Sequence, residues 1–260
     1  MFCDEFLYEK AWESTPLTGR AVLPKDKKPR KLIVLLHGYQ GDARSNAGFA
    51  RTLARGIENS AVFVPDGLDE VPETGNPHVR QWWNLPPFEG KCYSAMPYLW
   101  PENIRRGLDQ IVREAHVAAG ILNRFFKKQA KESGLKLSEC FLCGISQGGI
   151  TALEMALFRT ELHKDSAGTH LGGLAIIGAG IPGADRLRAQ QETDLPNIPV
   201  LLARGRHDEI FPPSVDAFSE SLLKEAGLPV RRVQAESGHF GLEHAVAADV
   251  CAFINGLSNP

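Results

Sequence analysis

Three residue types that together perform acyl transfer occur in this chain in a workable order: Ser146, then Asp208, then His239. A serine hydroxyl attacks a carbonyl only when a base takes its proton, and the base works best when a carboxylate holds its ring in one tautomer. Ser146 sits at the centre of Gly144-Ile145-Ser146-Gln147-Gly148, after the apolar run Cys140-Phe141-Leu142-Cys143 and before an apolar-periodic segment that starts at Gly149. A G-x-S-x-G between a strand and a helix forms a nucleophile elbow, which lifts the hydroxyl clear of the backbone at the helix N-terminus. Small flanking residues are required because strand and helix pass close to the turn. In a chain with 25 glycines the five letters alone carry little weight, so the partners decide. The competing role for Ser146 is a helix N-cap, which an elbow serine also satisfies.

The base is expected late in the chain, in the loop after the last strand. His239 lies there, in Glu236-Ser237-Gly238-His239-Phe240-Gly241. Of the eight histidines, His244 and His116 fall inside expected helices, and His163 and His170 in a polar connection. His207 precedes the acid, and His78, in the long loop, is the distant competitor. The acid should end the preceding strand, where Ile198-Pro199-Val200-Leu201-Leu202-Ala203 runs into Arg204-Gly205-Arg206-His207-Asp208-Glu209. Adjacent parallel strands deliver both loops to the carboxyl edge of a sheet, so Asp208 can reach His239. Glu209 is its alternative, and Asp216 falls in the next helix.

A developing oxyanion needs N–H donors, ordinarily the amide after the nucleophile and one from the loop after the first central strand. The Gln147 amide opens a helix, so it has no intrahelical acceptor and lies in the positive end of the helix dipole. The second donor is expected in His37-Gly38-Tyr39-Gln40-Gly41-Asp42, with Tyr39 preferred. His37 is read as a packing and hydrogen-bonding residue, being on the wrong loop for the base.

The elements that must position these groups follow from periodicity. Strands are expected at Leu32–Leu36, Ala61–Val64, Cys140–Gly144, Leu174–Ile177, Val200–Ala203 and Val230–Gln234. Helices are expected at Ala43–Ile57, Glu102–Ala130, Gly149–Phe158, Ser214–Ala226 and Leu242–Ile254. This alternation predicts an α/β protein with a mostly parallel central sheet and helices on both faces. An N-terminal hairpin, Glu5–Trp12 with Gly19–Leu23, adds antiparallel strands at one edge. The connection Asp66–Trp100 has little periodicity and many aromatics, among them Trp82, Trp83, Phe88, Tyr93, Tyr98 and Trp100. Loops of this length in compact domains are usually functional. This one is expected to fold over something, with Trp82, Trp83 and Tyr98 as candidate substrate contacts.

The 260 residues suit one large α/β domain spanning 1–260, with the aromatic loop as an insertion at about 66–101. The formal charge of −2 gives no electrostatic footprint for nucleic acid or an anionic membrane. The basic run Lys25–Lys31 is broken by Pro29 and reads as a solvated loop. No apolar run is long enough for a membrane span, and Met1–Lys10 carries acids where a signal peptide has bases, so the expected compartment is the cytoplasm. Five cysteines, an odd number, fit reduced thiols. Cys140 and Cys143 form a C-x-x-C, but on one strand their Cα atoms would be about 10 Å apart, beyond disulfide reach.

Together these motifs resemble the phospholipase/carboxylesterase group of α/β-hydrolases, which includes the acyl-protein thioesterases and small bacterial carboxylesterases. The resemblance runs over roughly residues 31–256. It comprises a strand ending in His37-Gly38, Pro65-Asp66-Gly67 after the next strand, a tryptophan pair, and the elbow with Gln147-Gly148-Gly149. The Asp208 loop closing with Pro212, and Gly238-His239, complete it. It implies an α/β-hydrolase fold and a cofactor-free, metal-free esterase acting on short to medium acyl esters, thioesters or lysophospholipids. Mapped residue by residue, it implies Ser146, Asp208 and His239 as catalytic triad and the Tyr39 and Gln147 amides as oxyanion donors. Four departures stand out. The family's H-G-x-G-D has an extra residue here, so Gln40 competes with Tyr39. Its Trp-Phe-Asp reads Trp82-Trp83-Asn84, and the first aspartate of its G-D-x-D is Arg206. Pro86–Trp100 resembles an insertion, which makes substrate choice the least transferable property.

Three other readings compete. Gly178-Ala179-Gly180-Ile181-Pro182-Gly183 is a G-x-G-x-x-G after a strand, but Pro182 interrupts the helix start that a dinucleotide site requires. A non-catalytic binding protein on a hydrolase scaffold is opposed by the complete set of Ser, Asp and His. A peptidase would need a further domain or a peptide-binding insertion.

Overall fold

The computed structural model describes residues 7–14, 16–25, 27–85, 102–158, 170–189 and 195–257. Its centre is an eight-stranded sheet formed by β1 (Leu7–Ser14), β2 (Leu17–Pro24), β3 (Lys31–Leu36), β4 (Ser60–Pro65), β7 (Cys140–Ile145), β8 (Gly173–Ile177), β9 (Val200–Gly205) and β10 (Val230–Ala235). Spatial order is β1-β2-β4-β3-β7-β8-β9-β10. From β4 to β10 every pair is parallel, while β1 pairs with β2 and β2 with β4 antiparallel, so the hairpin lies at the edge. A small ribbon, β5 (Asp69–Glu70) with β6 (Arg80–Gln81), stands apart from it.

A parallel sheet covered on both faces needs strands that are apolar on both sides, and Leu32 to Leu36 and Val200 to Ala203 are all buried. One core packs α2 (Glu102–Ser133), α3 (Gln147–Phe158) and α5 (Pro213–Glu225) on one face, and the other packs α1 (Ala47–Gly56) and α7 (Ala247–Gly256) on the opposite face. Along α2 an apolar stripe at helical spacing is buried from Leu108 through Ile111, Ala115, Ala119 and Leu122 to Phe126. Cys140 and Cys143 fall in opposite cores, as period-2 alternation along β7 dictates. This is the expected α/β-hydrolase architecture. Among the described residues no helix is long and apolar enough to cross a membrane.

The differences from the expected elements have local causes. The first helix opens at Ala47, not Ala43, because side chains claim the preceding amides. Asp42 Oδ1 accepts Ser45 N–H at 2.7 Å, and Asp66 Oδ1 accepts Ala43 N–H at 2.8 Å. The last helix divides at buried Val246 into α6 (Leu242–Ala245) and α7. The short α4 (Ala184–Ala189) and the β5–β6 ribbon are below the length at which periodicity is visible.

Candidate active site

The carboxyl ends of β3, β7, β9 and β10 open onto one edge of the sheet, and the chemistry-bearing residues meet there. At the end of β7, Ser146 has φ +51°, a conformation that costs a non-glycine residue energy and that the surroundings impose. Its amide donates to the Ile177 carbonyl at 2.8 Å, fixing the turn against β8. The flanking glycines are sterically required. A Cβ on Gly144 would lie 2.3 Å from the Gly148 carbonyl oxygen, and one on Gly148 would lie 2.3 Å from that of Leu36.

Asp208 and His239 are brought together by β9 and β10, whose register sets Gly205 opposite Ala235. Gly205 lets the two loops touch: its absent Cβ would lie 2.4 Å from the Ser237 carbonyl oxygen. His239 Nδ1 stands 2.9 Å from Asp208 Oδ2, and His239 Nε2 stands 3.0 Å from Ser146 Oγ. Asp208 Oδ1 accepts the amides of Ile210 at 2.9 Å and Phe211 at 2.7 Å. Burial pushes the Asp208 carboxyl up, but the bonds to His239 and to these amides outweigh it and hold the group below the usual carboxylate range. An ionised carboxylate only accepts, so Nδ1 of His239 carries the proton and Nε2 is free to accept the Ser146 hydroxyl. Gly178, at φ +57°, lies under the ring, its absent Cβ 3.3 Å from His239 Cε1. The G-x-G-x-x-G after β8 thus makes room for the imidazole.

The competing residues are placed elsewhere. Glu209 accepts the backbone N–H of His239 at 3.0 Å through Oε2 and does not hold the ring. Asp216 is in α5, paired with the buried guanidinium of Arg204 at 3.0 Å. His207 is exposed and meets Glu236, His116 bonds Glu154 from α2, and His244 lies in α6. His78 is exposed, and His163 lies outside the described residues.

His37 is fully buried. Its Nε2 accepts the Gly67 amide at 2.8 Å, and its Nδ1 lies 2.8 Å from the Gly38 carbonyl oxygen, to which it donates. Burial lowers its pKa to about 4, so the ring is neutral at pH 7 and serves as a bracket for the loop that follows. Asp66 supports the same loop from below, accepting Ala43 N–H through Oδ1 and Thr18 Oγ–H through Oδ2.

A cavity of about 480 Å³ opens over Ser146, lined by Gly38, Tyr39, Gln40, Trp83, Gln147 and Ile150 together with Ile210, Phe211, His239 and Phe240. The volume and mostly apolar wall suit a small organic ligand. Both Tyr39 and Gln40 reach this wall, with Gln40 at φ +65°. Of the three expected substrate contacts, Trp83 lines the cavity. Trp82 does not line it: the residue is buried beneath His37, rings 4.7 Å apart, because its indole N–H bonds the His37 carbonyl at 2.7 Å. Tyr98, with the rest of the aromatic loop from residue 86 to 101, lies outside the described residues. Sequence reasoning missed Leu85, Ile210, Phe211 and Phe240 as cavity residues. Adjacency to Asp208 and His239 was the available signal for the last three.

Residues 17–255 match the family model described as Phospholipase/Carboxylesterase. Acyl-protein thioesterase 1 of Emericella nidulans is 28% identical over 222 residues, which cover 80% of this chain and 81% of that protein. Among solved structures, esterase PE8 superposes with a TM-score of 0.73 at 21% identity, covering 93% of this chain and 99% of its own. A carboxylesterase from Mesorhizobium loti gives a TM-score of 0.62 at 20% identity over 95% of this chain and 99% of its own. At these identities the two structures are alike in fold.

Proposed function

The chain belongs to the phospholipase/carboxylesterase family, a group of carboxylesterase- and acyl-protein thioesterase-like hydrolases, and we propose that it cleaves carboxylic or thio-esters of short to medium acyl chains through an acyl-serine intermediate. The observation that carries this reading is the pair of contacts from one imidazole, 3.0 Å to the Ser146 hydroxyl and 2.9 Å to the Asp208 carboxylate, at the floor of an apolar cavity.

In this mechanism His239 Nε2 takes the Ser146 proton as Oγ bonds to the acyl carbon, and the carbonyl electron pair moves onto oxygen. The Gln147 amide at the start of α3 and the Tyr39 amide stabilise that oxyanion. Asp208 holds the ring and stabilises the imidazolium. Collapse expels the alcohol or thiol, which takes the proton from His239, and leaves acyl-Ser146. Water, deprotonated by the same imidazole, then releases the acid. The residues supply nucleophile, base and oxyanion donors, so no cofactor or metal is assigned a role. The apolar wall from Trp83 to Phe240 would hold the acyl chain or the alcohol.

The test is hydrolysis of p-nitrophenyl esters from C2 to C12 by wild type and Ser146→Ala at matched concentrations. Turnover by wild type alone, with fluorophosphonate labelling at Ser146, supports the reading. A folded wild type that neither turns over nor labels removes it.

A further inference from the structure

Both oxyanion donors of the proposed mechanism are attached to the same short piece of chain, Arg80 to Trp83, which comprises β6 and the two residues after it. The loop that carries Tyr39 is held at both ends by this strap. Arg80 N–H donates to the Gly41 carbonyl at 3.0 Å, and Trp82 Nε1–H donates to the His37 carbonyl at 2.7 Å, so Tyr39 and Gln40 are bracketed between two bonds. The start of α3 is held by the last two residues of the strap. Gln147 Oε1 accepts Trp82 N–H at 2.9 Å, and Gln147 Nε2 donates to the Trp83 carbonyl at 2.8 Å. The side-chain amide of Gln147 thus clamps the strap's backbone through both its oxygen and its nitrogen.

A third tie closes the unit. Trp83 Nε1–H donates to Thr151 Oγ at 3.1 Å, and that hydroxyl donates to the Gln147 carbonyl at 3.0 Å, one turn along α3. The strap is itself pressed against Gly67, whose absent Cβ would lie 2.6 Å from the Gln81 carbonyl oxygen. Arg80 bonds the Gly67 carbonyl through Nε and Nη2 at 3.0 and 2.9 Å. Gln147 and Trp82 are 3% and 1% exposed, so water is not available to replace these bonds.

We propose that Trp82 and the side chain of Gln147 are positioning residues: through the strap they fix the separation between the Tyr39 amide and the Gln147 amide, and hence the geometry of the oxyanion hole. Neither side chain needs to touch the substrate. The consequence lies in the transition state, because donors pre-set at the oxyanion's position act on it more strongly than on the planar ester. This inference rests on the hydrolase reading above.

The experiment compares Trp82→Phe, which keeps an aromatic ring and loses the donor to His37, with Gln147→Glu and Gln147→Met, which break the clamp with and without charge. Steady-state kinetics on a short p-nitrophenyl ester are paired with inhibition by an aryl trifluoromethyl ketone. Its carbonyl carbon bonds Ser146 Oγ, the Oγ proton passes to His239, and the carbonyl oxygen becomes the hemiketal oxyanion. An aryl methyl ketone of the same shape reports planar ground-state binding. Expected are a 10- to 100-fold fall in kcat, KM within about twofold, and a rise in the trifluoromethyl ketone Ki by the same factor as kcat/KM falls. Methyl ketone affinity should stay level. Variants with wild-type kcat, or with kcat lowered while the trifluoromethyl ketone Ki is unmoved, overturn the proposal. If Gln147→Glu does not fold, Trp82→Phe and Gln147→Met carry the same comparison. Wild type that neither turns over ester nor binds the trifluoromethyl ketone removes the hydrolase reading itself, a different outcome from active wild type with unaffected variants.

Discussion

Gly205 and Ser237 touch across the ends of β9 and β10: a methyl group on Gly205 would lie 2.4 Å from the Ser237 carbonyl oxygen and 2.6 Å from that of Gly238. These are backbone atoms one and two residues before His239, so Gly205→Ala must push the imidazole loop away from Asp208. A displacement near 1 Å is expected to lower kcat on a p-nitrophenyl ester about 100-fold with KM little changed. Near-normal kcat in a folded Gly205→Ala protein would show that the loop adjusts without moving the ring.

Ser146 stores backbone strain at φ +51°. Ser146→Ala and Ser146→Gly should both lose turnover, yet they should differ in stability. Glycine adopts this conformation freely whereas alanine keeps a Cβ penalty of about 1 kcal/mol. Denaturant midpoints should place Ser146→Gly above Ser146→Ala by about that amount. Equal midpoints would mean that the elbow relaxes once the hydroxyl is gone.

His37 is buried neutral, with its pKa moved from 6.5 to about 4. A depressed folded value means the unfolded chain takes up the proton first. The stability supplied by the neutral ring is therefore complete above pH 6.5, falls as pH drops from 6.5 towards 4, and is gone below that. The interval corresponds to on the order of 3 kcal/mol. Unfolding free energies between pH 7 and 4 should slope downward for wild type and less steeply for His37→Gln. Parallel slopes would assign the acid sensitivity to other groups.

Asp208 titrates lower in the folded chain than the ordinary 3.8. Its contribution is present above 3.8 and is lost only as pH falls through the depressed value, so it leaves the neutral range untouched. Asp208→Asn should lose kcat across pH 6–9, by about 10⁴ where the tautomer is wrong. Its stability difference from wild type should shrink only in strong acid. A mutant kcat that recovers at high pH to wild-type values would argue against a ring-holding role.

Phe240 is 79% exposed yet lines the cavity beside His239. Phe240→Ala should leave thermal stability within about 0.5 kcal/mol, as surface substitutions do. It should reduce kcat/KM for C8 to C12 esters about tenfold relative to C2, through lost apolar contact. An equal effect on all chain lengths would place the ring outside the acyl path.

The sequence determined the fold class and the strand order along the chain, and it singled out Ser146, Asp208 and His239, whose side chains meet in the structure. Apolar runs, helical spacing and a glycine-flanked serine are local patterns, and local patterns are written in consecutive residues. It also marked His37 as a packing and hydrogen-bonding residue, and the ring is buried and bonded to Gly67 and Gly38. Helix boundaries were less legible, because Ser45 and Asp42 draw the amides before α1 into side-chain bonds that no periodicity reports. Tertiary structure decided what the neighbouring carboxylate does: Asp208 takes the His239 ring, and Glu209 takes its backbone amide. It also decided that of two adjacent tryptophans Trp83 faces the cavity while Trp82 lies under His37. Both outcomes depend on residues distant in sequence meeting at one sheet edge, where directional hydrogen bonds select among neighbours that the sequence leaves equivalent.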